Sequence, residues 1–155
     1  MEARSLIGML GGAAGGAVAI GIMELVASRA TLPLMTIPFA TSIVLVMGSP
    51  DVEAAQPRAL IGGHVVSTIV GLIILAVAGS EPWAAALAVG LAIAAMHRTG
   101  TFHPPAGIDP LLVVVNNMPW SFLIAPVAIG AAMLALFAYA WHLLVRRYSW
   151  PTRWW

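Results

Sequence analysis

The stretch "TGTFHPPAGIDPLL", residues 99–112, interrupts a chain dominated by Ala, Val, Leu, Ile and Gly. It sets His103, Pro104, Pro105, Gly107 and Asp109 between two apolar runs. Proline removes a backbone donor, glycine weakens a helix, and a carboxyl or imidazole group is costly in hydrocarbon. A continuous membrane helix is disfavoured here, so the surrounding chain must supply the reason for the break.

Those surroundings are an integral membrane protein's. Of 155 residues, 61% are hydrophobic and 8% charged, against roughly a quarter charged in a soluble domain. Runs long enough to cross a bilayer, about 20 apolar residues each, make up most of the length. Lys and Cys are absent from the sequence, so neither a disulfide framework nor a thiolate metal site is available. A net charge of +1 offers no basic face for nucleic acid. The run from Ser5 to Met23 is longer than the roughly 7–15 residues of a signal-peptide core and reads as the first membrane helix. Its Gly8, Gly12 and Gly16 form overlapping GxxxG units, a helix-packing spacing, so this face is expected to pack a homo-oligomer.

Six segments follow: A (5–28), B (30–49), C (57–79), D (82–97), E (99–118) and F (119–145). A, C and F are long enough to span as continuous helices, and D is short. B and E each open with a helix-unfriendly half and close with an apolar, helix-compatible half. Gly21, Arg29 and Pro50 recur as Gly90, Arg98 and Pro119, each pair 69 residues apart. The expected fold is therefore an all-α membrane protein, one transmembrane domain over 1–155. It is an inverted repeat of two three-segment units (helix, broken half-helix, helix), about 5–79 and 82–147. Six crossings put Arg4, Arg58, Arg98, Arg146, Arg147 and Arg153 on one side and Arg29 on the other, which fits the cytoplasmic excess of basic residues. Both termini are then cytoplasmic, in a bacterial inner membrane. Trp83 and Trp120 fall at the outer interface, and Trp141, Trp150, Trp154 and Trp155 at the inner one.

In this arrangement both half-helices start near the middle of the membrane. A helix N-terminus offers unpaired N–H groups and partial positive charge, so two converging N-termini can hold an anion without Lys or Arg. The candidate binding residues are Pro38, Phe39, Thr41 and Ser42 on B, His64 on C, and His103, Pro104, Pro105, Gly107 and Asp109 on E. His103 can donate to substrate or titrate near neutrality, Thr41 and Ser42 can cap or touch substrate, and Gly107 is expected to leave the N–H groups uncrowded. Asp109–Pro110 reads as an N-cap–N1 pair, with proton carriage beside the anion as the alternative. Glu24 can pair with Arg29, while His97, Arg98 and His142 read as interfacial. The spacings of His97, His103 and Asp109 suit no metal site. No cofactor is expected, and without a nucleophile–base motif no enzyme is.

The pieces "PFATSIVLVMGSPDVEAAQPRALIGGH" (38–64) and "HRTGTFHPPAGIDPLL" (97–112) resemble the HPP family of integral membrane proteins. His103-Pro104-Pro105 matches the tripeptide that names the family, and Ala55-Gln56-Pro57-Arg58 with Gly62-Gly63-His64 extends the likeness. The resemblance implies a compact membrane domain, and some members are linked to nitrite transport. Family descriptions usually speak of four spanning helices, where the arginine count prefers six crossings. Small residues tend to follow the tripeptide in the family, and this chain departs from that with Ile108 and Asp109. The expected function is a transporter or channel for a small inorganic anion, nitrite foremost, in a lipid bilayer. The alternatives are a neutral-solute or cation pathway using Asp109 and Glu24, or a non-transporting membrane scaffold.

Overall fold

The computed structural model describes residues 2–30 and 37–154, with side chains at 2–5 and 30 outside the description. Among the described residues the chain is helical, without strands: α1 (Glu2–Ala30), α2 (Ile37–Gly48), α3 (Pro57–Ala78), α4 (Pro82–Thr99), α5 (Asp109–Val115) and α6 (Ile129–Leu144). Short 3-10 turns cover Glu53–Ala55 and Pro104–Ile108. Three stretches are long and apolar enough to cross a membrane: Leu6–Arg29, Pro57–Ala78 and Leu123–Leu144. The 18 residues of α4 reach about 27 Å at ~1.5 Å per residue, just short of the ~30 Å hydrocarbon core.

Local chemistry sets these boundaries. Pro57 and Pro82 open α3 and α4, where the missing N–H has no helical partner to lose. Gly100, left-handed at φ 64, ends α4, and the N–H of Thr101 closes back on the Met96 carbonyl at 2.9 Å, a glycine-terminated helix end. The halves of E come in the expected order, although the stretch without helix is short, covering 100–103 before the 3-10 turn. In B the helical half starts at Ile37, and residues 31–36 lie outside the described residues. Segment F departs from expectation. Ala125 is extended (φ −131, ψ 121) ahead of Pro126, as residues before proline tend to be, so the span bends before α6 instead of running on continuously.

Helices touch in corresponding pairs in the two halves, to different extents. α1 lies on α2 as α4 lies on α5, α3 lies on α5 as α6 lies on α2, and α3 lies on α4 as α6 lies on α1. The largest apolar core joins Phe39, Ile43 and Val46 of α2, Leu60 of α3, and Ala131, Leu134 and Ala138 of α6. Trp150 is part of that core, 2% exposed, and not in an interfacial belt. Trp83 and Trp120 are exposed. Beneath the core, Gln56 clasps the chain: its Nε2 donates to the Pro50 carbonyl at 2.8 Å, and its Oε1 accepts from the Thr152 N–H at 2.9 Å. Tyr148 bonds Asp51 across the same edge.

Gly12 and Gly15 of α1 pack inside the chain. A Cβ on Gly12 would lie 2.5 Å from the Met47 carbonyl oxygen, and one on Gly15 would lie 2.5 Å from the Trp141 ring. Part of the face expected to join copies is thus covered by α2 and α6, and Trp141 donates from there to the Gly11 carbonyl at 3.0 Å.

A second set of glycines, on α3, admits the irregular part of E. A Cβ on Gly62 would meet Thr101 at 2.5 Å, one on Gly63 would meet the His103 Cβ at 2.6 Å, and one on Gly71 would meet the Pro110 Cα at 2.7 Å. Segment 101–110 therefore lies against bare helix backbone. Gly63→Ala should destabilise the protein by about 1–3 kcal/mol, the usual cost of overpacking. Gly21→Ala, where a Cβ meets nothing within 4 Å, should be neutral or gain up to ~1 kcal/mol from helix propensity. Unfolding of the two variants in the same detergent measures the difference, and equal stabilities would show that the α3 contact carries no weight.

Candidate functional site

The segment laid along α3 brings four polar side chains, all fully buried, into one chain of contacts: Ser42 of α2, His64 of α3, His103 of the loop before the 3-10 turn, and Asp109 at the start of α5. Ser42 Oγ lies 2.8 Å from His64 Nε2 and 2.8 Å from His103 Nε2. His64 Nδ1 lies 2.7 Å from Asp109 Oδ2. At the far end His103 Nδ1 lies 2.6 Å from the Ala54 carbonyl oxygen. Ser67 and Thr68, one helical turn beyond His64, reach Asp109 Oδ2 at 3.2 and 3.3 Å. Phe39 closes one side, its ring centroid 4.8 Å from that of His64.

Counting protons assigns the tautomers, which the positions of heavy atoms leave to inference. A carbonyl only accepts, so His103 Nδ1 carries a proton and donates it to Ala54. With His103 neutral, its Nε2 is then bare and takes the Ser42 hydroxyl proton. A hydroxyl has one proton to give, so the second 2.8 Å contact of Ser42 needs a proton on His64 Nε2. The remaining proton lies between His64 Nδ1 and Asp109 Oδ2. Whether it sits on the imidazole or on the carboxyl, the cluster has the same number of protons and no net charge. The other carboxyl oxygen, Asp109 Oδ1, is buried without a hydrogen-bond partner. Ser67 has a shorter contact than Asp109, 2.7 Å to the Ala106 carbonyl, so Asp109 leans chiefly on His64.

Of the residues expected at the site, Ser42, His64, His103 and Asp109 come together, with Phe39 packed beside them. Pro38 contributes its carbonyl, 3.3 Å from Ser42 Oγ. Three expectations need correction. Thr41 is exposed, because consecutive residues of a helix point about 100° apart and Ser42 takes the inward direction. Asp109 is not an N-cap: it is already helical (φ −58, ψ −48) after Ile108, and no side-chain cap bond forms. A Cβ at Gly107 meets nothing within 4 Å, so this position has room for alanine. Pro104 is exposed and Pro105 half-buried, shaping the 3-10 turn outside the contact chain.

Further polar residues take places that the sequence does not suggest. His142 is fully buried, donating from Nε2 to the Val46 carbonyl at 3.1 Å. Glu24 and Arg29 are exposed near the end of α1, and no ion pair joins them among the described residues. His97 is exposed and stacks on Phe102 at 4.1 Å between centroids. Arg58 reaches from α3 to the Thr99 carbonyl at 2.9 Å. No group of three or more His, Cys, Asp or Glu suited to a metal ion occurs among the described residues. Ser67, Thr68 and the Ala54 carbonyl were missed. For the two hydroxyl residues a signal existed: Ser67 and Thr68 lie three and four positions after His64, on the same helix face.

Residues 1–151 match the HPP transmembrane region. The chain belongs to the HPP family. Two transmembrane proteins of Dictyostelium discoideum are each 36% identical to it. One aligns over 150 residues, 89% of this chain and 48% of that protein; the other aligns over 125 residues, 76% of this chain and 44% of that protein. The chain thus spans about half the length of these relatives. No solved structure matches it.

The buried pair has a direct energetic consequence. Removing one member of a buried, hydrogen-bonded charge pair costs about 3–5 kcal/mol, whereas replacing both with apolar groups is often neutral. His64→Leu and Asp109→Leu should each lower stability strongly, and the double variant should be more stable than either single one. A double-mutant cycle on unfolding in detergent reads the coupling, and additive losses would mean that the two side chains act independently.

Proposed function

We propose that this HPP-family membrane protein is a transporter or channel for a small inorganic anion, with nitrite as the leading substrate. The observation that carries this reading is the 2.7 Å contact between His64 and Asp109. A bare carboxylate beside the broken segments would repel an anion; paired with His64 and sharing its proton, Asp109 leaves a neutral cluster. The segments expected to carry the site, α2 and the 3-10 turn before α5, pack on each other with Ser42 and His103 between them. Irregular backbone at membrane depth is tolerated where protein buries it or where it lines a path, and discontinuous segments of paired repeats are where secondary transporters bind their ions. Six crossings, an inverted relation of the two units and cytoplasmic termini in a bacterial inner membrane complete the proposal. Self-association belongs to it too, through surface other than the covered Gly12 and Gly15. The exposed position of Glu24 removes one ligand from the cation alternative.

Selectivity in such a site rests on N–H and O–H donors, because Lys and Arg are absent from the cluster. A weakly hydrated monovalent anion is favoured over sulfate or phosphate, whose dehydration costs far more. Purified protein in proteoliposomes should take up nitrite, with nitrate or formate competing and sulfate excluded. His103→Ala should reduce uptake by about tenfold or more, equivalent to ~1.4 kcal/mol on the barrier, while His97→Ala should retain most of it. Liposomes that pass ammonium or a divalent metal and ignore every anion offered would refute the anion reading.

A further inference from the structure

We infer that Asp109, His64, Ser42 and His103 form a proton relay, and that it exchanges protons with the surface through a pocket beside Ala54 lined by Glu53 and His97. The relay rests on geometry alone; its role in coupling rests on the anion reading above.

From His64 to Ala54 its hydrogen bonds point one way. Asp109 and His64 share a proton, His64 Nε2–H donates to Ser42, Ser42 donates to His103 Nε2, and His103 Nδ1–H donates to the Ala54 carbonyl. A carbonyl accepts a hydrogen bond and does not take the proton, so the chain is latched at that end. Ala54 also lines a surface pocket of about 380 Å³, together with Glu53, His97, Gly100 and Phe102. When the His103 ring leaves Ala54, its Nδ1 proton can pass to a titratable group there. Ser42 then gives its proton to His103 Nε2, His64 Nε2 gives its proton to Ser42, and His64 Nδ1 keeps the one shared with Asp109. One proton leaves, only N–H and O–H bonds change, the two Ser42 contacts survive with their direction reversed, and the His103–Ala54 bond is given up. The cluster is left with one negative charge and His103 Nδ1 bare, ready to accept a proton from the pocket.

The charged and titratable neighbours are few. α2 contributes none, and α5 contributes Asp109. From α3 comes Arg58, on the Thr99 carbonyl; from α4 come His97 and Arg98, both exposed. From α6 comes His142, on the Val46 carbonyl, with Arg146 beside it. Asp51 is engaged by Tyr148. Glu53 and His97 are thus the titratable groups that line the pocket at the Ala54 end. Asp109 Oδ1, buried and without a partner, marks the other end. An anion bound nearby would favour the uncharged cluster over the negative one, which is how proton and anion would travel together.

The test has two readouts. Nitrogen NMR of ¹⁵N-histidine protein in lipid nanodiscs should show His103 protonated at Nδ1 and bare at Nε2, with His64 protonated at Nε2. Raising the pH should switch both rings in one step. Ser42→Ala should uncouple them and Ser42→Thr should restore the coupling. A His64 ring bare at Nε2 throughout, or rings that titrate independently in the wild type, would overturn the relay. In proteoliposomes with a trapped pH dye, nitrite uptake should carry protons inward beyond the protein-free leak. Ser42→Ala should slow the protein's share by about a hundredfold, the low end of what a positioned proton-transfer group supplies, and Glu53→Gln, at an exposed site, should slow it several-fold. Nitrite uptake without proton movement and indifferent to Ser42→Ala would overturn the relay and leave the anion reading standing. Coupled titration of the rings without any nitrite uptake would do the reverse.

Discussion

The close approach of segment 101–110 to the bare backbone of α3 is the constraint on which the site depends. Gly62, Gly63 and Gly71 leave no side chain where Thr101, His103 and Pro110 lie. Without that clearance the segment would stand off α3 by the thickness of a methyl group. The hydrogen bond from His64 to Asp109 would then exceed bonding distance. A helix that must receive another stretch of backbone has to give up its side chains along the line of contact, and α3 gives them up in a sequence otherwise rich in Val, Leu and Ile. The reciprocal contact is made by Gly130 of α6, where a Cβ would meet the Phe39 ring at 2.6 Å. Phe39 can therefore sit deep enough to seal the side of His64.

What the approach costs in side-chain packing is offset by polar pairing that hydrocarbon would otherwise forbid. An unpartnered polar group buried away from water costs about 1–3 kcal/mol, and here four side chains and one carbonyl join in a single run from Asp109 to Ala54 that leaves only Asp109 Oδ1 without a partner. Interrupting the run anywhere leaves at least one buried group unpaired. That makes the cluster demanding of geometry, with two 2.8 Å contacts meeting on one oxygen. It also makes it responsive, since moving one proton reverses the two bonds at Ser42 and gives up only the one to Ala54. The Gln56 clasp and the Arg58 bond to Thr99 fix the loop and helix end from which Ala54 and His103 approach.

Much of this was legible in the sequence because the chain is so apolar. His64, His103 and Asp109 stand out by type in a sequence with few polar positions, and the prolines of E mark the break. The coincidence of breaks in B and E pointed to Ser42 as well as to His103. Other features depend on direction, which composition does not carry. Thr41 and Ser42 are equivalent as letters, and only the helix phase decides which faces inward. Asp109 before Pro110 has the form of a cap, yet the 3-10 turn at Pro104–Ile108 brings the chain into helical geometry one residue early and frees the carboxyl for α3. The glycines of α1 have the spacing of an oligomer face, but the same spacing serves α2 and α6 within one chain. His142 looked interfacial from its place near the end of F; the C-terminal segment folds back, and Trp150 and Tyr148 pack around it.

The trio of Ser42, His64 and Asp109 has the spacing of a hydrolytic triad, and what separates it from one is access and commitment. A nucleophilic serine needs an open face for substrate and a hydroxyl proton its base can take. Ser42 is 0% exposed. Its proton is claimed by His103, so the nitrogen that would serve as base, His64 Nε2, already carries a proton and acts as a donor. The second histidine thus converts the arrangement from one that activates oxygen into one that conducts a proton between fixed partners. In a membrane protein whose broken segments meet at this point, a cluster that can change its charge by one while giving up only its contact with Ala54 is suited to balancing the charge of a passing ion. The same residues would serve poorly as a rigid scaffold, for which an apolar core would cost less and hold as well.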